Sequence, residues 1–231
     1  IVVFHYGGNI FPFNIKFIHL LFKQANMGVS YFFILSGFVM VIAYKDKVKI
    51  EYGDYIKRRF ARIYPVYGLA ILILLAYWLA LKKPIDYKGL FLNLTLLQSW
   101  IPGYALSFNG TGWSLAVEMF FYFTFPFLFN YIYRRYTLKK LVIPIFLIFI
   151  VSQILLHVIL NSPFYKGYPF RSHDFTFYFP LMHLNEFLIG NLAGIFFIRG
   201  IKTGNYDFPV IGLSLLISIL LIINFGLNYH N

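Results

Sequence analysis

The chain has 231 residues, of which 60% are hydrophobic and only 12% charged, with 29 Phe and 19 Tyr. A soluble domain of this size has too little interior to hide that much apolar surface, so soluble, disordered and disulfide-scaffold classes are excluded. The 20 Lys and Arg against 8 Asp and Glu give a net charge of +12, and no cysteine is present to form a disulfide or carry an acyl thioester.

In chain order the hydropathy predicts a series of membrane spans, each needing roughly 20 apolar residues. Residues 1–5 read as the end of a first span. The sequence is therefore expected to be a fragment that lacks the start of that span and further C-terminal spans. Spans follow at 27–44, 64–81, 112–133, 141–160, 177–198 and 208–226. The predicted fold class is all-α: a polytopic transmembrane helix bundle of six complete spans plus a partial first span, forming a single transmembrane domain over residues 1–231. Segment 86–110 is too short and polar to span. It reads as an interfacial or re-entrant helix, with Trp100 and Tyr104 suited to a headgroup belt.

The charges support an orientation. Segments 45–62, 134–140 and 199–202 hold thirteen of the 20 Lys and Arg, and they alternate along the chain with the poorer segments 6–26, 82–110 and 161–175. Basic residues flank spans on the cytoplasmic side, so the richer set is predicted to face the cytoplasm. This explains the positive charge through the lipid bilayer, with no nucleic-acid partner.

Ionisable groups at membrane depth are costly and face protein or a water-filled cavity, so they are the best pointers to chemistry. Glu118 lies one to two turns inside the fourth span, on a stripe with Ser114, Phe121 and Phe125. It fits either a hydrogen bond between packed helices or a reactive carboxylate on an aromatic wall. His183, Glu186, Gly190 and Gly194 share one face of the sixth span. The two glycines form a small-xxx-small spacing that permits a close helix crossing, so Glu186 fits a structural hydrogen bond there. His5 ends an apolar helix and is followed by Tyr6-Gly7-Gly8, a helix stop; it is either structural or a general base. Arg58, Arg59 and Arg62 can sit on one side of a short helix, where they would either anchor to anionic lipid or grip phosphates. His19, His173 and His230 are placed in loops or the tail. No His/Asp/Glu cluster has metal-ligand spacing, and no metal is predicted.

Five segments taken in order resemble the acyltransferase family 3 membrane enzymes. They are VVFHYG at 2–7, GVSYFFILSGF at 28–38, RRFARIYPVY at 58–67, WSLAVEMFFYFTFP at 113–126 and PLMHLNEFLIGNLAG at 180–194. The resemblance implies an O-acyltransferase of the polysaccharide O-acetylase type, in the cell inner (cytoplasmic) membrane. Its donor would be acyl-CoA, most commonly acetyl-CoA, used as a substrate with no permanently bound cofactor. Its acceptor would be a hydroxyl of an extracytoplasmic or lipid-linked glycan. By motif, His5 and Glu118 take the catalytic places and Arg59 and Arg62 the acyl-CoA-binding ones. Ser36, Trp113, Ser114, Tyr122 and Glu186 stand as supporting residues. Ser30 occupies a place where the family usually carries an acid. A transporter or flippase for a glycolipid or small solute is the rival expectation, using the same intramembrane Glu118 and Glu186.

Overall fold

A computed structural model of the chain describes residues 10–15, 27–199, Gly212 and Leu216. Residues 33–198 form one compact unit, and residues 1–32 with 199–231 form another. In the latter, the described residues 10–15 make a tight turn in which the Phe13 N–H donates to Ile10 O at 2.8 Å. His5 and the partial first span lie outside the described residues. The last predicted span is described only at Gly212 and Leu216, both helical.

Seven α-helices carry the described chain: α1 Met27–Ala43, α2 Tyr52–Ala80, α3 Tyr87–Leu94, α4 Trp113–Phe127, α5 Leu138–Leu160, α6 Arg171–Phe177 and α7 Leu184–Ile198. No strand occurs among the described residues, and the chain is an all-helical membrane bundle. Tyr52–Ala80, Trp113–Tyr133, Leu138–Leu160 and Arg171–Ile198 are long and apolar enough to cross a membrane; Gly28–Ala43 is a shorter apolar helix.

Three boundaries differ from the expected spans, each for a physical reason. First, α2 starts at Tyr52, so the arginines lie on the first turns of the spanning helix itself and not on a short separate one. Pro65 stands inside it. A proline removes one backbone hydrogen bond, a loss that membrane helices absorb when neighbours compensate. Second, α4 continues into a π-helical turn, Leu128–Tyr133. Here Asn130 Nδ2 donates to Ile50 O and Asn130 Oδ1 accepts from the Ile50 N–H, both at 2.9 Å. Arg134 Nη1 donates to Lys47 O at 3.2 Å, so the basic segments 45–51 and 134–140 are pinned together. Third, the span expected at 177–198 is longer and broken: α6 ends at Phe177, and Pro180–His183 form a 3-10 turn before α7.

Segment 86–110, expected to be interfacial or re-entrant, folds back against α2. The Tyr64 and Tyr67 hydroxyls on α2 donate to Leu94 O at 2.9 Å and Asn93 O at 3.1 Å, while Trp78, further along the same helix, packs on Phe108 at 5.2 Å. The segment thus runs back along α2 for ~21 Å at 1.5 Å per residue. Non-helical backbone at such depth must be satisfied by protein. Asn93 Nδ2 donates to Gly89 O and Ser107 O, both at 2.9 Å, and Gln98 Nε2 donates to Gly112 O at 3.0 Å. Ser99 Oγ donates to Trp113 O at 3.0 Å, and the Gly103 N–H donates to Asp174 Oδ2 at 2.7 Å. These bonds fasten the segment to the start of α4 and to α6.

The remaining frame is apolar. Phe121 stacks on Phe187 at 4.4 Å and meets Phe33 edge-on at 5.3 Å, joining α4, α7 and α1. Helices α1 and α7 run parallel and nearly touch. A Cβ on Gly190 would lie 1.9 Å from Ile34 O, and one on Gly37 would lie 2.3 Å from Phe187 O. Along α5 only Leu141 and Ile145 are buried, and the rest of its apolar surface is left for lipid.

Candidate active site

The site is built from the N-terminal turns of α2 and the middle of α4. Tyr55 is fully buried, and Arg59 follows one turn later on the same face. Tyr44 comes in just beyond α1, and Tyr122 comes from α4. The Arg59 guanidinium carbon lies 5.6, 5.3 and 5.2 Å from the ring centroids of Tyr44, Tyr55 and Tyr122. Phe125 closes the group, 5.9 Å from Tyr44 and 6.1 Å from Tyr55. Ring faces are partially negative, and a desolvated cation over one is held by about 2 kcal/mol. Three such faces hold Arg59 without neutralising it. Among the described residues no carboxylate pairs with it, and its buried Nε has no hydrogen-bond partner.

Tyr122 extends this group to the acid. Its hydroxyl donates to Glu118 Oε1 at 2.5 Å across one turn of α4. Glu118 is half-buried and receives no other hydrogen bond from the described residues. Arg59, Tyr122 and Glu118 are therefore brought into one continuous chain of contacts. Arg62 lies one turn further along α2 and is exposed, as is Arg58. The three arginines expected to act together are thus divided: one is turned inward and two outward.

The supporting residues scatter. Ser36 Oγ donates to Met40 Sδ at 3.7 Å on its own helix, and Ser114 Oγ donates to Thr111 O at 3.5 Å. Neither hydrogen-bonds to the Arg59 group. Trp113 packs against Tyr178, His183 and Phe33 at 4.9, 5.6 and 6.1 Å. Glu186 Oε2 meets His183 Nδ1 at 3.1 Å, and His183 Nε2 donates to Phe177 O at 3.0 Å. A carbonyl only accepts, so Nε2 carries a proton by assignment from the bonding pattern. This histidine caps the end of α6, and Glu186 stands in the first turn of α7, where a negative charge is favoured.

Two features escape sequence reasoning. His173, expected in a loop, is buried on α6 with its ring 4.6 Å from Phe177, and its Nδ1 lies 3.1 Å from the Tyr165 hydroxyl. The Tyr44–Tyr55 pair around Arg59 carries no motif; only the i,i+4 spacing of Tyr55 to Arg59 and of Glu118 to Tyr122 hinted at it.

These features define a multi-pass helical membrane protein with a charged group, caged by aromatic rings, inside the bundle. The chain belongs to the acyltransferase family: an acyltransferase domain matches residues 1–231. It is 29% identical over 194 residues to acyltransferase MdmB of Streptomyces mycarofaciens, covering 78% of this chain and 48% of that protein. It is 44% identical over 68 residues to protein 2 in the picA locus of Rhizobium radiobacter, covering 26% of this chain and 36% of the relative. To O-acetyltransferase OatA of Staphylococcus aureus it is 25% identical over 162 residues, 61% of this chain and 27% of that protein. The matches span about half or less of these relatives' lengths. No solved structure matches the chain.

Proposed function

We propose that the chain is the membrane-embedded part of an O-acyltransferase in the inner membrane, a single domain over residues 1–231. It moves an acyl group, acetyl in the first instance, from cytoplasmic acyl-CoA to a hydroxyl of an extracytoplasmic or lipid-linked glycan. The observation that carries this reading is the Arg59–Tyr122–Glu118 chain of contacts: a guanidinium that pairs with no carboxylate among the described residues, joined through one phenol to a carboxylate. Such a guanidinium suits a phosphate of coenzyme A, which it can meet bidentately. Arg62, exposed one turn away, offers a second cation to the same phosphates.

In this scheme the thioester end of the donor lies within the bundle. His5 takes the proton from the acceptor hydroxyl as its oxygen attacks the thioester carbonyl. The C–S bond breaks, the acyl group passes to oxygen, and the proton passes on to the departing thiolate. Glu118 orients or balances the imidazolium. Excluding water keeps hydrolysis from competing. Direct transfer is the simplest course, since the chain has no cysteine to carry the acyl group, and a covalent relay through His5 or Ser36 is the alternative.

Labelled acetyl-CoA and membranes containing the full-length protein test the reading. Label should appear on a glycan, and His5→Ala should abolish its appearance while leaving the amount of folded protein unchanged. Acetyl transfer that survives His5→Ala removes His5 from the scheme. The broken span Arg171–Ile198, beside the intramembrane Glu118 and Glu186, favours a transporter, because interrupted helices line substrate paths in that class. Transport of a glycolipid without consumption of acetyl-CoA would establish that rival.

A further inference from the structure

Arg59 and Glu118 carry opposite charges, project from neighbouring helices, and both touch Tyr122. In an interior of low dielectric such charges attract strongly, and a direct ion pair is their expected fate. Yet among the described residues no ion pair joins them. Tyr122 stands between: its ring lies 5.2 Å from the Arg59 guanidinium carbon, and its hydroxyl donates to Glu118 Oε1 at 2.5 Å. The same side chain gives the cation a ring face and gives the anion a proton donor.

We propose that Tyr122 is a positioning residue that acts as a spacer, keeping Glu118 from neutralising Arg59 so that the guanidinium stays available to an incoming phosphate. Three further observations support it. Tyr122 is buried at 4% exposure, so its ring cannot swing into lipid and let the charges meet. Among the described residues Arg59 Nε is buried and has no hydrogen-bond partner, which leaves donor capacity on that nitrogen unused. The other two rings of the cage, Tyr44 and Tyr55, hold the guanidinium from the sides that Glu118 does not reach by hydrogen bond. Phenol and carboxylate together thus keep two opposite charges apart without leaving either bare.

This inference rests on the reading of Arg59 as the donor's phosphate site, and the experiment separates the two. Free coenzyme A is titrated into purified full-length protein in lipid nanodiscs, and binding is read directly. Arg59→Ala should weaken binding by about tenfold or more, equivalent to roughly 1.4 kcal/mol. Tyr122→Phe keeps the ring and should bind coenzyme A within about twofold of the unmodified protein. In the transfer assay the same variant should lower kcat and leave KM for the donor unchanged, because only the hold on Glu118 is lost. Tyr122→Leu removes the spacer, lets Glu118 reach Arg59, and should weaken coenzyme A binding by about tenfold. Adding Glu118→Gln to Tyr122→Leu removes the competing anion and should restore binding to within about twofold, a rescue that a packing defect would not show.

Tyr122→Leu binding as the unmodified protein does, or no rescue by Glu118→Gln in protein that stays monodisperse, overturns the spacer role. Should the leucine variant fail to fold, Tyr122→Met takes its place with the same expectations. Arg59→Ala leaving coenzyme A binding unchanged overturns the donor reading itself, and the spacer role falls with it.

Discussion

Among its described residues the bundle treats two ionisable pairs in opposite ways. At the break between α6 and α7, His183 and Glu186 close on each other: one imidazole nitrogen meets the carboxylate, and the other meets the Phe177 carbonyl. Between α2 and α4, the described residues give Arg59 ring faces and no carboxylate, and they give Glu118 one phenol. Charge within a membrane is costly in either setting, so the protein must gain something from each. The closed pair repairs a broken helix whose backbone would otherwise lack partners. Among the described residues the open group remains incomplete, as a binding site for an anion requires.

Exchanging the two acids gives the largest expected difference. Glu118→Gln should lower kcat for acetyl transfer by about 10²–10⁴-fold, the usual range for a group that supports proton transfer. Glu186→Gln should change it by no more than a few-fold. Initial rates in membranes with matched protein levels measure both, and equal losses would erase the distinction between the pairs.

Next come the arginines. Arg59→Ala should raise the donor KM by about tenfold or more, through loss of a charge-assisted contact. Arg62→Ala, at an exposed position, should raise it less and in a salt-dependent way, because exposed charges are screened. A larger effect at Arg62 than at Arg59 would place the donor's phosphates outside the cage.

How far the sequence foretold these two regions depends on what each signal measures. Hydropathy averages over some twenty residues, so it located four of the spans and the shorter apolar helix Gly28–Ala43, and it set 86–110 apart as too short and polar to cross. The same averaging began the span at 177, because Arg171, Ser172, His173 and Asp174 before it are polar, and so it missed that a helix precedes the break at Tyr178 and Phe179. Pro180 was the available sign, since the residue before a proline avoids the helical region. Helical periodicity grouped Arg58, Arg59 and Arg62 on one side but could not say which of them turns inward. That depends on Tyr44, 15 positions earlier, and on Tyr122 from another helix. Asn93 and Gln98 counted only toward the polarity of segment 86–110, and their burial follows from the return of that segment along α2. Glu118 stood out because a carboxylate in an apolar run has few explanations. His5 rests on its motif alone.

The close approach of α1 and α7 gives an effect on stability of intermediate size. The Cβ of Gly190→Ala would stand 1.9 Å from the Ile34 carbonyl oxygen, a backbone atom that cannot yield unless a whole helix moves. Overpacking of this kind costs about 1–3 kcal/mol, and thermal unfolding in detergent should register it. Gly53→Ala is the control: a Cβ there meets nothing within 4 Å, and it should be neutral or slightly stabilising. Unfolding temperatures that coincide for the two variants would mean the helices are free to separate.

The smallest effect tests the closed pair on its own ground. Glu186→Gln keeps the size of the side chain and a polar atom facing His183 Nδ1, so the imidazole still has a partner and Nε2 still caps Phe177. What is lost is the charge on that hydrogen bond and the favourable place of a carboxylate in the first turn of α7. The expected cost is about 0.5–1.5 kcal/mol of stability, the net worth of an ordinary intramolecular hydrogen bond. Coenzyme A binding should not change, because among the described residues this pair has no hydrogen bond to the Arg59 cage and is joined to it through packed rings, from Phe33 to Phe121, Phe187 and Phe125. His183→Ala removes the cap as well and should cost more than Glu186→Gln, again with donor binding intact. A loss of donor binding in Glu186→Gln that matches its loss in Arg59→Ala would show the two pairs to be one coupled site, with the aromatic layer between them carrying the coupling.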